Sequence, residues 1–318
     1  QLWGLEEGNG YSGWGNNELE YHTDRPENII ISDGVLKITA ISESYQGFNY
    51  TSAKLNTRNT KMFQYGRFDV RAKLPVTGGM WPAIFMFGAD YQWFNLATWP
   101  ECGEIDIMEL NGNNPTILHN NLHTGFYNYN NGNPIVNQTP IGSVANQFNN
   151  YRIDWTPDYI RWFFNNTQVA EHVRTDGDDH SKWPFDDYFD FILTLNVGGN
   201  FVGAVDDGAL PQVMEVEHVR YYELLGDHNT PQKVKPVTPI LNQTDVTMNA
   251  GESTTFTVLN KPANSTVRWH SGGAIVFEGD SLTFPDFTPP GSTIGVVAII
   301  DNATGVASNP VTVKLTVI

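Results

Sequence analysis

The 318 residues carry 18 Lys and Arg against 35 Asp and Glu, a formal net charge of −17 and a pI near 4.7. A field of that sign repels nucleic acid and polyanionic ligands generally, so neither is expected as a partner. No apolar run approaches the ~18 residues a membrane helix requires, so no membrane association is expected. Glycine (29) and proline (18) are plentiful, aromatics reach 13%, and short alternating runs replace any long 3.6-period stretch. That pattern predicts an all-β chain. The length exceeds one ordinary domain and suits one large domain plus one small.

Along the chain, apolar and aromatic strands run densely from Trp3 to Leu225. Gly66-Arg67-Phe68-Asp69-Val70-Arg71-Ala72-Lys73-Leu74 alternates strictly, Gly103 to Leu110 is apolar apart from three acids, and Tyr159 to Phe164 is a third strand-like run. From Gly226 to Pro239 the pattern breaks into polar residues with Pro231, Pro236 and Pro239, which reads as a semi-extended linker. Beyond it Val and Thr dominate, with Trp269 the single Trp and no Tyr. The expected division is a domain over 1–226, a linker over 227–239 and a small domain over 240–318. A lone Trp on Val267-Arg268-Trp269-His270 suits the core of an immunoglobulin-like sandwich, here without a disulfide because Cys102 is the one cysteine. Cys102 itself is expected to be a small buried residue. Trp3, Trp155 and Trp162 are assigned to core packing, and Trp93 is a candidate for a rim loop.

The most informative segment is Gly103-Glu104-Ile105-Asp106-Ile107-Met108-Glu109-Leu110. Period-2 alternation sends Glu104 and Asp106 to one face but throws Glu109 onto the other. A β-bulge at Ile107-Met108 would return Glu109 to the acidic face. Three carboxylates on one face, without Lys or Arg beside them in sequence, would be a costly way to build a core. Glu104 and Glu109 would lie roughly 13 Å apart at Cα, close enough for inward-leaning side chains to act on one sugar as the carboxyl pair of a glycosidase. Asp106 between them would split their pKa values. A solvated acidic patch or a three-carboxylate metal site would use the same residues.

Glu104-Ile105-Asp106-Ile107-Met108-Glu109 resembles the signature of glycoside hydrolase family 16 in its bulged form. The likeness extends over Gly15 to Tyr21, Tyr65 to Pro75, Gly79 to Ile84, Trp99 to Gly103, Trp155 to Asp158, Leu195 to Asn200 and Val216 to Tyr222, in family order, and is to the laminarinase branch. The resemblance implies a β-jelly-roll sandwich with a concave sugar cleft and retaining endo-hydrolysis of β-1,3-glucosidic bonds. It implies Glu104 as nucleophile, Glu109 as acid/base and Asp106 as the residue that orients the nucleophile. His123 matches a family histidine beside the catalytic row, Trp81 and Trp99 the cleft aromatics, and Asn16 and Asn17 a loop that hydrogen-bonds sugar on the non-reducing side. Lys54 stands where relatives commonly carry arginine, which keeps the charge without the planar fork. Arg58, on the same strand face by parity, is placed to compensate.

No cofactor is expected for catalysis. Many relatives hold a structural calcium ion, for which Glu217 is the one ligand candidate here; the additional first strand that contributes to that site is not found before Trp3. A β-glucan is the expected partner, a monomer the expected state, and a secreted or cell-surface location follows if a leader preceded Gln1. Laminarin-type glucan is favoured, with mixed-linkage β-1,3-1,4-glucan as a second substrate. The alternatives are a non-catalytic glucan-recognition protein or a hydrolase of another family substrate such as agar; sulfated galactans fit poorly with so acidic a chain.

Overall fold

The computed structural model describes residues 2–58, 60–89, 99–225, 237–271, 274–286, 288, 290–301, 308 and 311–318. Trp93 and residues 227–236 of the expected linker lie outside the described residues. The described residues divide into two compact units, one within residues 2–225 and one within residues 237–318. Both are built from strands, as the alternating sequence pattern predicts.

The large unit is a two-sheet sandwich. One sheet runs Gly4–Glu6, Lys54–Asn56, Phe189–Val197, Met80–Gly88, Glu104–Leu110, Ile117–His123 and Ile135–Pro140. The other runs from Thr167–Val173 through Tyr159–Phe164, Asn149–Trp155, Gly66–Lys73, Gln212–Tyr222, Val35–Tyr45 and Phe48–Ser52 to Glu20–His22. Gly66–Lys73 shows why its sequence makes a sandwich strand. Phe68, Val70 and Ala72 are buried in the core, while the alternate Arg67 and Arg71 pair outward with Asp154 and Glu217. Met80–Gly88 and Phe189–Val197 are instead buried at every position. One of their faces meets the second sheet, and the other carries the polar and aromatic side chains of the cleft.

The acidic strand contains the bulge. Against Met80–Gly88, Glu104 opposes Phe87, Asp106 opposes Phe85 and Glu109 opposes Ala83, with the register shifting between Ile84 and Phe85. Ile107 is the extra residue. All three acids therefore share a face with Phe85 and Phe87, while Ile105, Ile107, Met108 and Leu110 join the core. A bulge disturbs the local ladder and its carbonyls need other donors. Asn120 Nδ2 donates to Ile107 O at 2.7 Å, and Trp162 Nε1, from the opposite sheet, donates to Asp106 O at 2.8 Å. Trp155 and Trp162 are fully buried and Trp3 packs against the same core; Cys102 is buried as well.

The small unit pairs Asp245–Met248, Val311–Val317, Gly291–Asp301, Ser265–Ser271 and Ala274–Glu278 in one sheet and Thr254–Thr257 with Ser281–Phe284 in another. Asp245–Met248 runs parallel to Val311–Val317. Trp269 is buried between the sheets with Phe256, Val267, Ile299 and Leu315, and its Nε1 donates to Gly279 O at 2.7 Å.

Trp162→Phe keeps the packing of the bulge but leaves Asp106 O without its indole donor. The substitution is expected to lower stability by about 1–3 kcal/mol. An unchanged urea midpoint would show that this donor does not support the bulge.

Candidate active site

The register places the functional side chains row by row. Asn196 lies opposite Trp81 and Thr194 opposite Ala83; Lys54 pairs with Thr194, and Glu6 with Lys54. On the other side His119 opposes Glu109 and His123 opposes Glu104. A small cavity of about 50 Å³ is lined by Trp14, Asn16, Glu18, Lys54, Trp81, Phe85, Phe87, Glu104, Glu109 and Asn196, among others. A larger apolar pocket of about 760 Å³, lined by Trp3, Phe63, Phe68, Phe191 and Tyr221, lies away from the acidic row. Convergence of the carboxyls, rather than volume, locates the site.

Each outer acid is held by an indole. Trp99 Nε1 donates to Glu104 Oε2 at 2.7 Å, and Trp81 Nε1 donates to Glu109 Oε1 at 3.0 Å. Asn121 Nδ2 donates to the second Glu109 oxygen at 2.8 Å. Asp106, 2% exposed, has His123 Nε2 at 3.4 Å from its Oδ2. Burial, followed by the neighbouring Glu104 charge, pushes Asp106 well above the usual carboxylate range. Enclosure in the cleft, with Asp106 and Glu104 adding to it, raises Glu109 in the same direction. A carboxyl whose protonated form is favoured, Glu109, beside a second carboxyl, Glu104, is the arrangement acid-plus-nucleophile chemistry needs.

The far side of the cavity is built by a left-handed turn. Ser12, Trp14 and Asn17 all have φ between 51° and 56°, and a Cβ at Gly13 would fall 2.4 Å from Glu18 N. Only glycine fits there, and the turn that results lays the Trp14 ring against Lys54 Nζ, 4.0 Å from the ring centroid. Lys54 is also 3.6 Å from Glu6. Burial works to raise Glu6, but the Lys54 and Arg58 cations outweigh it and hold Glu6 below the usual range. Burial also raises Glu18 well above that range and Glu20 to about 7, and lowers His22 to about 3, leaving its imidazole neutral.

The structure gathers Asn16, Lys54, Trp81, Glu104 and Glu109 around the cavity, with Asp106, Trp99 and His123 beside it. Asn17 is exposed and donates to Asn200 Oδ1 at 3.1 Å, next to the cavity loop rather than in its wall. Arg58 departs from the expected sugar contact. It is 7% exposed, with Nε 3.0 Å from Asp190 and Nη1 3.1 Å from Glu6, so it braces Glu6 from behind Lys54. Glu217 departs too. Its side chain is 48% exposed and 2.5 Å from Arg71 Nε, a cation already occupying the carboxylate. Calcium takes six to eight oxygens, and among the described residues no group of three or more His, Cys, Asp or Glu side chains is arranged to hold a metal. As it stands, the Glu217 carboxylate is taken up by Arg71.

Asn121, Trp14, Glu18, Asn196 and Phe201, whose ring centroid lies 4.9 Å from that of Trp81, were not singled out from sequence. For Asn121 a signal existed: it lies two residues before His123, on the same strand face.

A carboxyl pushed toward its protonated form, a second carboxyl on the same small cavity, and indole rings flanking both are the features of a glycoside hydrolase. The sequence pattern of glycosyl hydrolases family 16 matches residues 13–201. A beta-glucanase of Rhodothermus marinus is 42% identical over 220 residues, 67% of this chain and 77% of that protein. The glucan endo-1,3-beta-glucosidase A1 of Niallia circulans is 35% identical over 234 residues, 66% of this chain but 33% of that longer protein. The solved structure of the Rhodothermus marinus laminarinase, 40% identical, superposes with a TM-score of 0.65 and covers 70% of this chain and 91% of its own. The chain belongs to glycosyl hydrolase family 16.

Burial favours the protonated form of Asp106 in the native state, whereas in the unfolded chain the carboxyl ionises above about pH 4. Stability therefore falls as pH rises through the folded-state range. Asp106→Asn removes that cost, so its melting temperature relative to wild type is expected to gain more at pH 8 than at pH 5. An equal difference at both values would show that Asp106 is not the proton-holding group.

Proposed function

We propose that the chain is a retaining endo-β-1,3-glucanase acting on laminarin-type glucans, with mixed-linkage β-1,3-1,4-glucan as a second substrate. The observation that carries this reading is the bulged acidic row, with Glu104 and Glu109 on one cavity and Asp106 buried between them. Glu104 attacks the anomeric carbon while Glu109 gives its proton to the departing glycosidic oxygen. The resulting glycosyl–Glu104 ester is then hydrolysed by a water that Glu109, now ionised, deprotonates. Asp106 and His123 support the nucleophile's side of the row. Trp81 and Trp99 offer ring faces to glucose, and Asn16, Lys54 and Asn196 offer donors for its hydroxyls. Both chemical roles are filled by carboxyls, so the reaction drawn this way calls on no cofactor.

Residues 237–318 we read as an immunoglobulin-like accessory domain without catalytic function. The two-sheet core around Trp269 and the parallel pairing of Asp245–Met248 with Val311–Val317 support that reading. A monomer working outside the cell or at its surface, where polymeric glucan is met, fits the substrate.

Reducing-sugar release from laminarin, run beside lichenan, agarose and carrageenan, tests the function directly. Glucan binding without hydrolysis would favour the recognition-protein reading. Glu104→Ser is expected to lower turnover on laminarin by roughly 10³-fold or more while oligosaccharide binding persists. Glu109→Gln is expected to retain activity on aryl glucosides with good leaving groups, which need less protonation. Equal loss on activated and natural substrates would remove Glu109 from the acid role. Deleting residues 230–318 is expected to leave turnover on soluble laminarin nearly unchanged. A large fall, with circular dichroism showing the remainder folded, would assign the small unit a part in the active site.

A further inference from the structure

Glu109 has to hold a proton in the first half of the proposed reaction and surrender it before the second. Most of its surroundings push one way. Enclosure in the cleft and the Asp106 and Glu104 carboxyls on its own strand all disfavour its charged form. His123 opposes them first, and two neutral N–H groups add to it, Trp81 Nε1 at Oε1 and Asn121 Nδ2 at Oε2, at 3.0 and 2.8 Å; Asn121 also favours the charged form of Asp106. Donors at both oxygens favour the charged form against that push.

We propose that Asn121 is a positioning residue of the reaction, one that fixes the Glu109 carboxyl and favours its anion enough for the acid to serve next as base. The proposal rests on the assignment of Glu109 as acid/base. Asn121 reaches Glu109 because of the bulge. The ladder between the two strands shifts between His119 and Leu122, and Asn121 falls within that shift, diagonal to Glu109. It is 4% exposed, so the contact is not an accident of a mobile surface side chain. Its Oδ1 is buried without a hydrogen-bond partner, an arrangement that costs stability and that packing alone does not explain.

The other titratable groups around Glu109 set the field without replacing this donor. His119, its register partner, is driven toward the neutral form by burial. His123 lies opposite Glu104, Tyr129 packs beyond His123, and Glu18 and Lys54 face Glu109 across the cavity. Trp81, the remaining direct donor, also packs on Phe201 and presents its ring to the cleft, so its indole is not free to follow the carboxyl.

Asn121→Leu keeps the side-chain volume and removes the donor. In the full-length chain, a carbon-13 NMR titration of labelled Glu carboxyls reads Glu109 directly, with Glu109→Gln assigning its resonance. The Glu109 midpoint is expected to rise by about half a pH unit or more in Asn121→Leu, because losing a donor to the anion favours the neutral form. An unchanged midpoint overturns the proposal. This titration needs no substrate, so failure of the wild type to hydrolyse laminarin would sink the functional reading while leaving this test in force. In kinetics, the alkaline limb of kcat/KM is expected to move upward with kcat about tenfold lower and KM within twofold. In a Glu109→Gln background the same substitution is expected to cost much less than in the wild type, the remainder being its contact with Asp106; an equal loss in both backgrounds shows that Asn121 acts elsewhere. Asn121→Ser, which keeps a short donor, provides an independent variant, expected to give a smaller shift in the same direction.

Discussion

A single extra residue in one strand governs the active site. Alternation along Glu104–Leu110 would point Glu109 into the core opposite Glu104, and the bulge at Ile107 reverses that by one step. The same inserted residue buries Ile107 and Met108 in the sandwich, so the apolar and acidic halves of the segment are satisfied together. The cost of the interrupted ladder falls on two side chains, Asn120 and Trp162, whose donors cap the exposed carbonyls. Trp162 comes from the opposite sheet, which makes the alignment of the acids dependent on the closure of the whole sandwich.

The polar side of the cleft is held differently. Glu6, Lys54, Arg58 and Asp190 form a buried chain of alternating charge, and Lys54 alone of its cations lines the cavity. Buried ions are tolerable only when paired with good geometry, and here each cation has a carboxylate within 4 Å. The result is one positive charge on the cavity wall opposite the acidic row, positioned by a Trp14 ring that a left-handed backbone turn carries into place.

What the sequence disclosed follows from periodicity. The strand character of Gly66–Lys73, the shared face of Glu104 and Asp106, and the core placement of Trp155, Trp162 and Trp269 all depend on local pattern. The ion-pair partners of Arg58 and Glu217 were not legible, because neither strand parity, which placed Arg58, nor family likeness, which singled out Glu217, reports what waits on a strand face. Asp190 and Glu6 claim Arg58, and Arg71 claims Glu217, through contacts distant in sequence. Asn121 and Trp14 escaped for related reasons: one depends on a register shift between strands, the other on a left-handed turn that no hydrophobic period encodes.

The two indoles that grip Glu104 and Glu109 are rigid plates, each with an N–H on its edge turned to an acid. If, as proposed, glucose stacks on them, stacking and acid orientation are carried by the same bodies and neither can be tuned alone. Phenylalanine would keep a surface for sugar and release the carboxyl; histidine would keep a donor and forfeit most of the surface. Tryptophan is the side chain that joins a broad apolar plate to an N–H on its edge, so at positions 81 and 99 the proposed reaction would constrain the residue twice, by the sugar in front and by the acid behind.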